Sequence, residues 1–156
     1  MGLLLNGTPM QPEKSVLAGA RLGLPTDWGF PHSPVQVLLL ACKFLNDEGF
    51  GYASDAINCI DYCISMKANI ITNSWAGGEP NPALRDAIAH AAEKDILFVA
   101  AAGNQGDDLD VNATYPASYA PGLPNMVVVG SVGYDDKLSN FSNYGQAVHL
   151  AAPGEW

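Results

Sequence analysis

The side chain with the clearest chemical potential is the amide of Asn104, which follows the run of small residues at positions 100–103. A carboxamide can donate a hydrogen bond to an oxygen on which negative charge develops, provided that the chain holds it rigidly. Taken alone, an asparagine after a glycine is more typical of a turn. Its interpretation therefore depends on whether other segments place related chemistry nearby.

Two predicted strand ends bring polar residues to one place. The predicted short strand at residues 69–72 leads into Asn73 and Ser74, and the apolar run at 96–102 leads into Asn104. In open parallel sheets, binding sites form beyond the carboxyl ends of the strands. Both segments are therefore expected at the ligand-binding edge of a sheet.

The histidines do not complete a hydrolytic site. A serine nucleophile needs a neighbouring base, and the candidates for that base are His32, His90 and His149. His32 precedes Ser-Pro, His90 falls on the polar side of a predicted helix, and His149 alternates with apolar residues. We interpret all three as structural or solvated, and we do not expect Ser74 to be a nucleophile.

No metal site is predicted from spacing. The acidic segment at residues 107–110 is short, whereas Ca²⁺ takes about 6–8 oxygen ligands, so a solvated turn is the favoured interpretation. A structural calcium ion held by carbonyls and remote side chains stays open but cannot be assigned to residues. Cys42, Cys59 and Cys63 lack the spacing of metal ligands and are expected to be buried free thiols.

Predicted buried strands alternate along the chain with predicted amphipathic helices. This alternation predicts an α/β fold with a largely parallel sheet and helices on both faces. Amphipathic helices are expected from residue 53 to 64, with Ser54 as the cap, and after the capping pair Asn81 and Pro82. Buried strands are expected at residues 37–42, 69–72, 96–102, 126–132 and 148–152. Residues 1–32 show no sustained period and are predicted to be irregular, with the domain at 33–156.

Composition narrows the function classes. The 156 residues include 7 Lys and Arg against 16 Asp and Glu, for a net charge of −9, so no basic surface for nucleic acid is expected. No apolar run approaches the roughly 20 residues that span a bilayer. The first six residues make a poor signal peptide.

The chain resembles the subtilisin-like serine endopeptidases in five segments that agree in sequence, order and separation. They read IITNSWAGG at 70–78, LFVAAAGN at 97–104, YPASY at 115–119, NFSNYG at 140–145 and LAAPG at 150–154. The resemblance runs from about residue 34 to 154 and implies a three-layer subtilisin-like fold and peptide-bond hydrolysis.

The same resemblance assigns roles to individual residues. It implies that Asn104 is the side-chain donor of the oxyanion hole. Ser74, Trp75 and Ala76 would form an edge strand that pairs with the substrate backbone. The residues that would line the pocket for the side chain before the scissile bond are Ala101, Ala102 and Gly103. No cofactor is expected for this chemistry.

The family's catalytic Asp, His and Ser segments have no match in residues 1–156. The chain is therefore expected to be the central part of a larger catalytic domain and inactive alone, with apolar sheet surface left exposed and marginal stability. It would associate with complementary protease segments. Family resemblance favours secretion of the complete enzyme.

Two other functions compete with this interpretation. The first is a catalytically inactive module that binds peptides or the rest of a protease. The second is a nucleotide-binding fold, suggested by GFGYAS at residues 49–54, but the third glycine of the fingerprint is missing. No acidic residue ends the following strand either, because Asn73 and Ser74 stand there.

Overall fold

A parallel sheet of four strands carries the candidate site. The computed structural model describes residues 39–155 and, for its backbone only, the strand Leu17–Ala18. The chain divides into two compact units, the smaller ending at Lys43 and the larger resuming at Phe44. The predicted irregular segment, residues 1–32, lies outside the described residues except at that strand.

In the smaller unit, β1 (Leu17–Ala18) pairs antiparallel with β2 (Leu39–Leu40). A buried parallel strand was predicted over residues 37–42, and this prediction was wrong for the described part of that range. The strand ends at Leu40, and Leu39 is exposed. A continuous apolar run does not by itself determine which strand it pairs with or whether it becomes buried.

The sheet of the larger unit contains four strands in the order β3-β4-β5-β6, all parallel. Their bounds are Ile70–Asn73, Leu97–Ala101, Met126–Val132 and Leu150–Pro153. The register places Asn73 opposite Ala100 and Ala101 opposite Val129. The α/β fold class predicted from the alternation of elements is confirmed.

One described helix precedes β3, and a second connects β3 to β4. Helix α1 spans Ala53–Ser65 and packs against α2, Pro82–Ala92, which also packs on β4. The cap of α2 was predicted correctly, since Asn81 Oδ1 accepts the N–H of Leu84 at 3.1 Å. The predicted cap at Ser54 is wrong, because the N-cap position of α1 is Tyr52, two residues earlier, and its side chain makes no capping hydrogen bond.

The two faces of the sheet differ in burial. Alternate residues point to opposite faces, and Phe98 and Val128, both 0% exposed, share the buried face with Ile71. Ile70 and Leu150 lie on the opposite face and are 60% and 49% exposed. The expected exposure of apolar sheet surface is therefore present at these residues.

Adjacent isoleucines on β3 test this difference directly. Replacing Ile71 with threonine should lower the free energy of unfolding by about 2 kcal/mol, because it removes buried apolar atoms and introduces a buried hydroxyl. Replacing Ile70 with threonine should change it by less than about 0.5 kcal/mol and reduce aggregation. Urea unfolding and light scattering measure both; equal losses of stability would contradict the assignment of faces.

Cys63 is a buried free thiol, and burial raises its pKa. Cys42 and Cys59 are not free thiols, so the expectation was wrong for these two residues. Within the described ranges, no helix is both long and apolar enough to cross a membrane.

Candidate active site

The carboxyl end of β3 is stabilised by side chains. Asn73 donates from Nδ2 to the carbonyl of Val99 on β4 at 3.2 Å and accepts the indole N–H of Trp75 at 3.1 Å. The Trp75 ring also packs edge-on against Phe44, with centroids 5.3 Å apart. These contacts hold the Trp75 side chain at the end of the sheet and thereby restrain the main chain of Trp75.

The segment that follows β3 presents a free main-chain edge. Among the described strands, β3 is the terminal strand of its sheet and pairs with β4. In the part of the chain that the structure describes, the main-chain N–H and C=O groups of Ser74, Trp75 and Ala76 make no hydrogen bond. The N–H of Gly77 then donates to the carbonyl of Tyr115 at 2.8 Å, which anchors the far end of the segment.

The carboxyl end of β4 lies next to this edge. The last residue pair of the β3–β4 register is Asn73 with Ala100. Extending this register by one residue places Ser74 opposite Ala101. Ala101 is half-buried, whereas Ala102 and Gly103 are buried. The structure therefore brings the predicted edge and the predicted pocket residues together, with Ala101 the most accessible of the three.

Asn104 projects from the loop that begins at Gly103. It is exposed, and its side chain makes no hydrogen bond to any residue that the structure describes. Its main-chain N–H donates to Gln105 Oε1 at 3.1 Å. The Asn104 carboxamide is thus available to an external acceptor, which is the property that an oxyanion donor requires.

One residue at this site was not predicted to take part in it. Asn143 is fully buried and hydrogen-bonds to residues on both sides of Asn104. The segment NFSNYG belongs to the family pattern, but nothing local indicates that its second asparagine reaches back across 38 residues to Gln105. A polar residue within a buried segment is the only sequence signal that could have identified it.

The two described histidines, His90 and His149, occupy positions expected of structural or solvated residues. His90 is exposed on α2, and the Nδ1 of His149 accepts the N–H of Val128 at 3.0 Å, which places the proton of the neutral ring on Nε2. His32 lies outside the described residues. Within residues 39–155, no serine hydroxyl is hydrogen-bonded to a histidine, and Ser74 is exposed.

The acidic segment forms its own turn. Asp108 Oδ1 accepts the N–H of Asp110, whose carboxylate accepts the N–H of Gln146. The described residues contain no group of three or more His, Cys, Asp and Glu side chains that could hold a metal ion. Outside the site, the exposed Lys137 beside Asp135 lowers the pKa of that carboxyl.

Comparison with protein families identifies the family of this chain. The model of the subtilase family, Peptidase_S8, matches residues 16–156. The chain belongs to the subtilase family. The match begins at residue 16, earlier than the resemblance recognised from the sequence, which begins at about residue 34.

Individual relatives agree with this assignment. The chain is 34% identical over 142 residues to the major intracellular serine protease of Bacillus subtilis. The matched region covers 89% of this chain and 43% of that protein. It is 36% identical over 128 residues to thermitase of Thermoactinomyces vulgaris, covering 82% of this chain and 43% of that protein. The chain thus spans less than half the length of these relatives.

A solved subtilase has the same fold. A crystal structure of a cold-adapted subtilisin-like serine proteinase superposes with a TM-score of 0.63 at 32% sequence identity. The superposition covers 72% of this chain and 39% of that one. The subtilisin-like fold predicted from the sequence is therefore confirmed.

Proposed function

We propose that this chain supplies the peptide-binding edge and the oxyanion donor of a serine endopeptidase, a hydrolase that cleaves peptide bonds in proteins. The observation that carries the proposal is the free main chain of Ser74, Trp75 and Ala76 after β3, together with the exposed amide of Asn104 after the neighbouring parallel strand β4. An extended peptide can pair with such an edge through main-chain hydrogen bonds, so it would bind largely independently of its sequence.

The proposed chemistry follows from that placement. A serine nucleophile attacks the scissile carbonyl carbon of the bound peptide, and negative charge moves to the carbonyl oxygen. The Asn104 carboxamide donates a hydrogen bond to that oxygen as the charge develops. The described residues supply binding and this hydrogen bond, whereas the nucleophile and its base are not assigned to any of them.

Substrate preference is proposed to come from the end of β4. Ala101, Ala102 and Gly103 carry small or no side chains, so a wall built from them leaves room for a large apolar side chain of the substrate. We propose no cofactor for the reaction, because a side-chain amide supplies the stabilisation of the oxyanion. A structural calcium ion stays unassigned.

A second candidate function is a catalytically inactive module that binds peptides or complementary protease segments. It is favoured by the exposed apolar residues Ile70, Leu97 and Leu150 on one sheet face. In this case peptides or complementary protease segments would bind to the chain, and the complex would show no turnover.

The test is peptide binding and cleavage measured in parallel on the purified 156-residue chain. A fluorescent peptide with a large apolar residue before its central bond is titrated by anisotropy, while mass spectrometry follows cleavage. The chain alone is expected to bind the peptide without cleaving it. Cleavage that appears when complementary protease segments are added supports the endopeptidase, and binding that stays without cleavage after that addition supports the inactive module. Absence of binding at millimolar concentration would contradict both.

The location of the protein is a separate proposal. Family resemblance supports secretion of the complete enzyme, although two relatives are named intracellular proteases. Detecting the protein in culture medium or in cells by immunoblotting would decide between these two locations.

A further inference from the structure

Asn143 lies against the loop that carries Asn104 and uses its full hydrogen-bonding capacity there. Its Nδ2 donates to the carbonyl of Ala102 at 3.0 Å and to Gln105 Oε1 at 3.1 Å. Its Oδ1 accepts the main-chain N–H groups of Gln105 and Asp107, both at 3.0 Å. A carboxamide has two donor hydrogens and two acceptor lone pairs, so the fully buried side chain is completely satisfied.

Main-chain hydrogen bonds reinforce the same contact. The N–H of Asn143 donates to the carbonyl of Gly103 at 3.1 Å, and the N–H of Tyr144 donates to the carbonyl of Asp107 at 3.0 Å. The chain is therefore fastened immediately before and shortly after Asn104. Asn104 itself remains exposed between these two points.

The loop approaches Asn143 so closely that a side chain would not fit at Gly103. A Cβ atom there would collide with Nδ2 of Asn143, and the φ angle of Gly103 is +109°. The link also extends to Asn104, because the Oε1 of Gln105 accepts hydrogen bonds from both the Asn143 side chain and the Asn104 main chain. Asn143 and Asn104 are thus connected through a single side-chain oxygen.

We propose that Asn143 is a positioning residue that holds the loop at residues 102–107 so that the amide of Asn104 is directed at the oxyanion. The inference rests on the proposed function, because only that function requires the Asn104 amide to be held in one orientation. An oxyanion donor is effective when its orientation is set before charge develops, since no reorganisation is then needed during the reaction. Asn143 does not touch the substrate and acts through the loop.

Hydrogen exchange tests the positioning without any reference to proteolysis. In the 156-residue chain, Asn143→Ala should speed amide exchange at Gln105 and Asp107 at least tenfold while leaving Phe98 of β4 unchanged. Unchanged exchange at Gln105 and Asp107 would overturn the proposal. Equal acceleration at Phe98 would also overturn it, because the effect would then be global.

Two further variants keep the test decisive. Asn140→Ala removes an exposed asparagine from the same segment and should leave all of these exchange rates unchanged. If Asn143→Ala does not fold, Gln105→Ala removes the shared oxygen and should speed exchange at the Asn104 amide. No acceleration in Gln105→Ala would overturn the link to Asn104.

Kinetics of the active protease provide a second readout. Asn143→Ala should lower kcat roughly 10- to 100-fold with KM within about twofold, because substrate binding does not use the oxyanion donor. In an Asn104→Ala background it should add no further loss, and fully additive losses would overturn the proposal. Absence of turnover in the unsubstituted chain combined with its complementary protease segments would contradict the proposed function, while the exchange result would still decide the role of Asn143.

Discussion

Replacing Asn104 with alanine should leave the affinity for a peptide substrate unchanged and lower the turnover of the protease by roughly 10²- to 10³-fold. A loss of this size is typical of oxyanion donors in subtilisin-type proteases, and we expect the same of Asn104. The two effects separate because the donor interacts with a charge that exists only in the transition state. Steady-state kinetics and peptide titration measure them independently.

The control for this prediction is Asn112→Ala. Asn112 is also an exposed asparagine in a loop, and its main-chain N–H donates a hydrogen bond to the carbonyl of Asp108. Its replacement should leave both turnover and affinity unchanged. A turnover within twofold of normal in Asn104→Ala, or a large rise in the peptide Kd, would remove Asn104 from the proposed role.

Replacing Gly103 with alanine should lower the free energy of unfolding by about 2–4 kcal/mol. Two causes add. The φ angle of +109° is unfavourable for any residue with a Cβ atom, and that atom would collide with the side chain of the buried Asn143. Urea unfolding with an unchanged m-value measures the loss.

Gly77→Ala separates these two causes. Gly77 has a φ angle of +135°, but a Cβ atom there would meet nothing within 4 Å. Its replacement should therefore cost only the backbone strain, about 1–3 kcal/mol. Equal losses in Gly77→Ala and Gly103→Ala would show that the contact with Asn143 contributes nothing to the Gly103 effect.

Sequence predicted the elements best where the signals are local. The cap Asn81 followed by Pro82 determines the start of α2 by a hydrogen bond three residues away, and the apolar run at Met126–Val132 coincides with β5. Prediction was poorer at Ser54, where several residues near the start of α1 are compatible with a helix boundary. Helix ends of this kind depend on packing as well as on capping.

The sequence predicted the exposed residues of the candidate site but not the buried residue that holds its loop. Asn104 and Ser74 follow strands that sequence periodicity identifies, so their place at the carboxyl edge of a parallel sheet follows from the topology. Asn143 is different, because its role arises from hydrogen bonds to Ala102 and Gln105 that span 41 and 38 residues. No local pattern encodes such contacts.

The central claim is that the main chain of Ser74, Trp75 and Ala76 binds an extended peptide as an added strand. The most direct test compares a peptide ligand with two N-methylated versions of it, one methylated at alternate residues and the other at the intervening residues, all three titrated into the purified chain. Methylation of the amides that face the edge should weaken binding at least tenfold, and methylation of the intervening set should have little effect. Equal affinity for all three peptides would contradict strand addition at this edge.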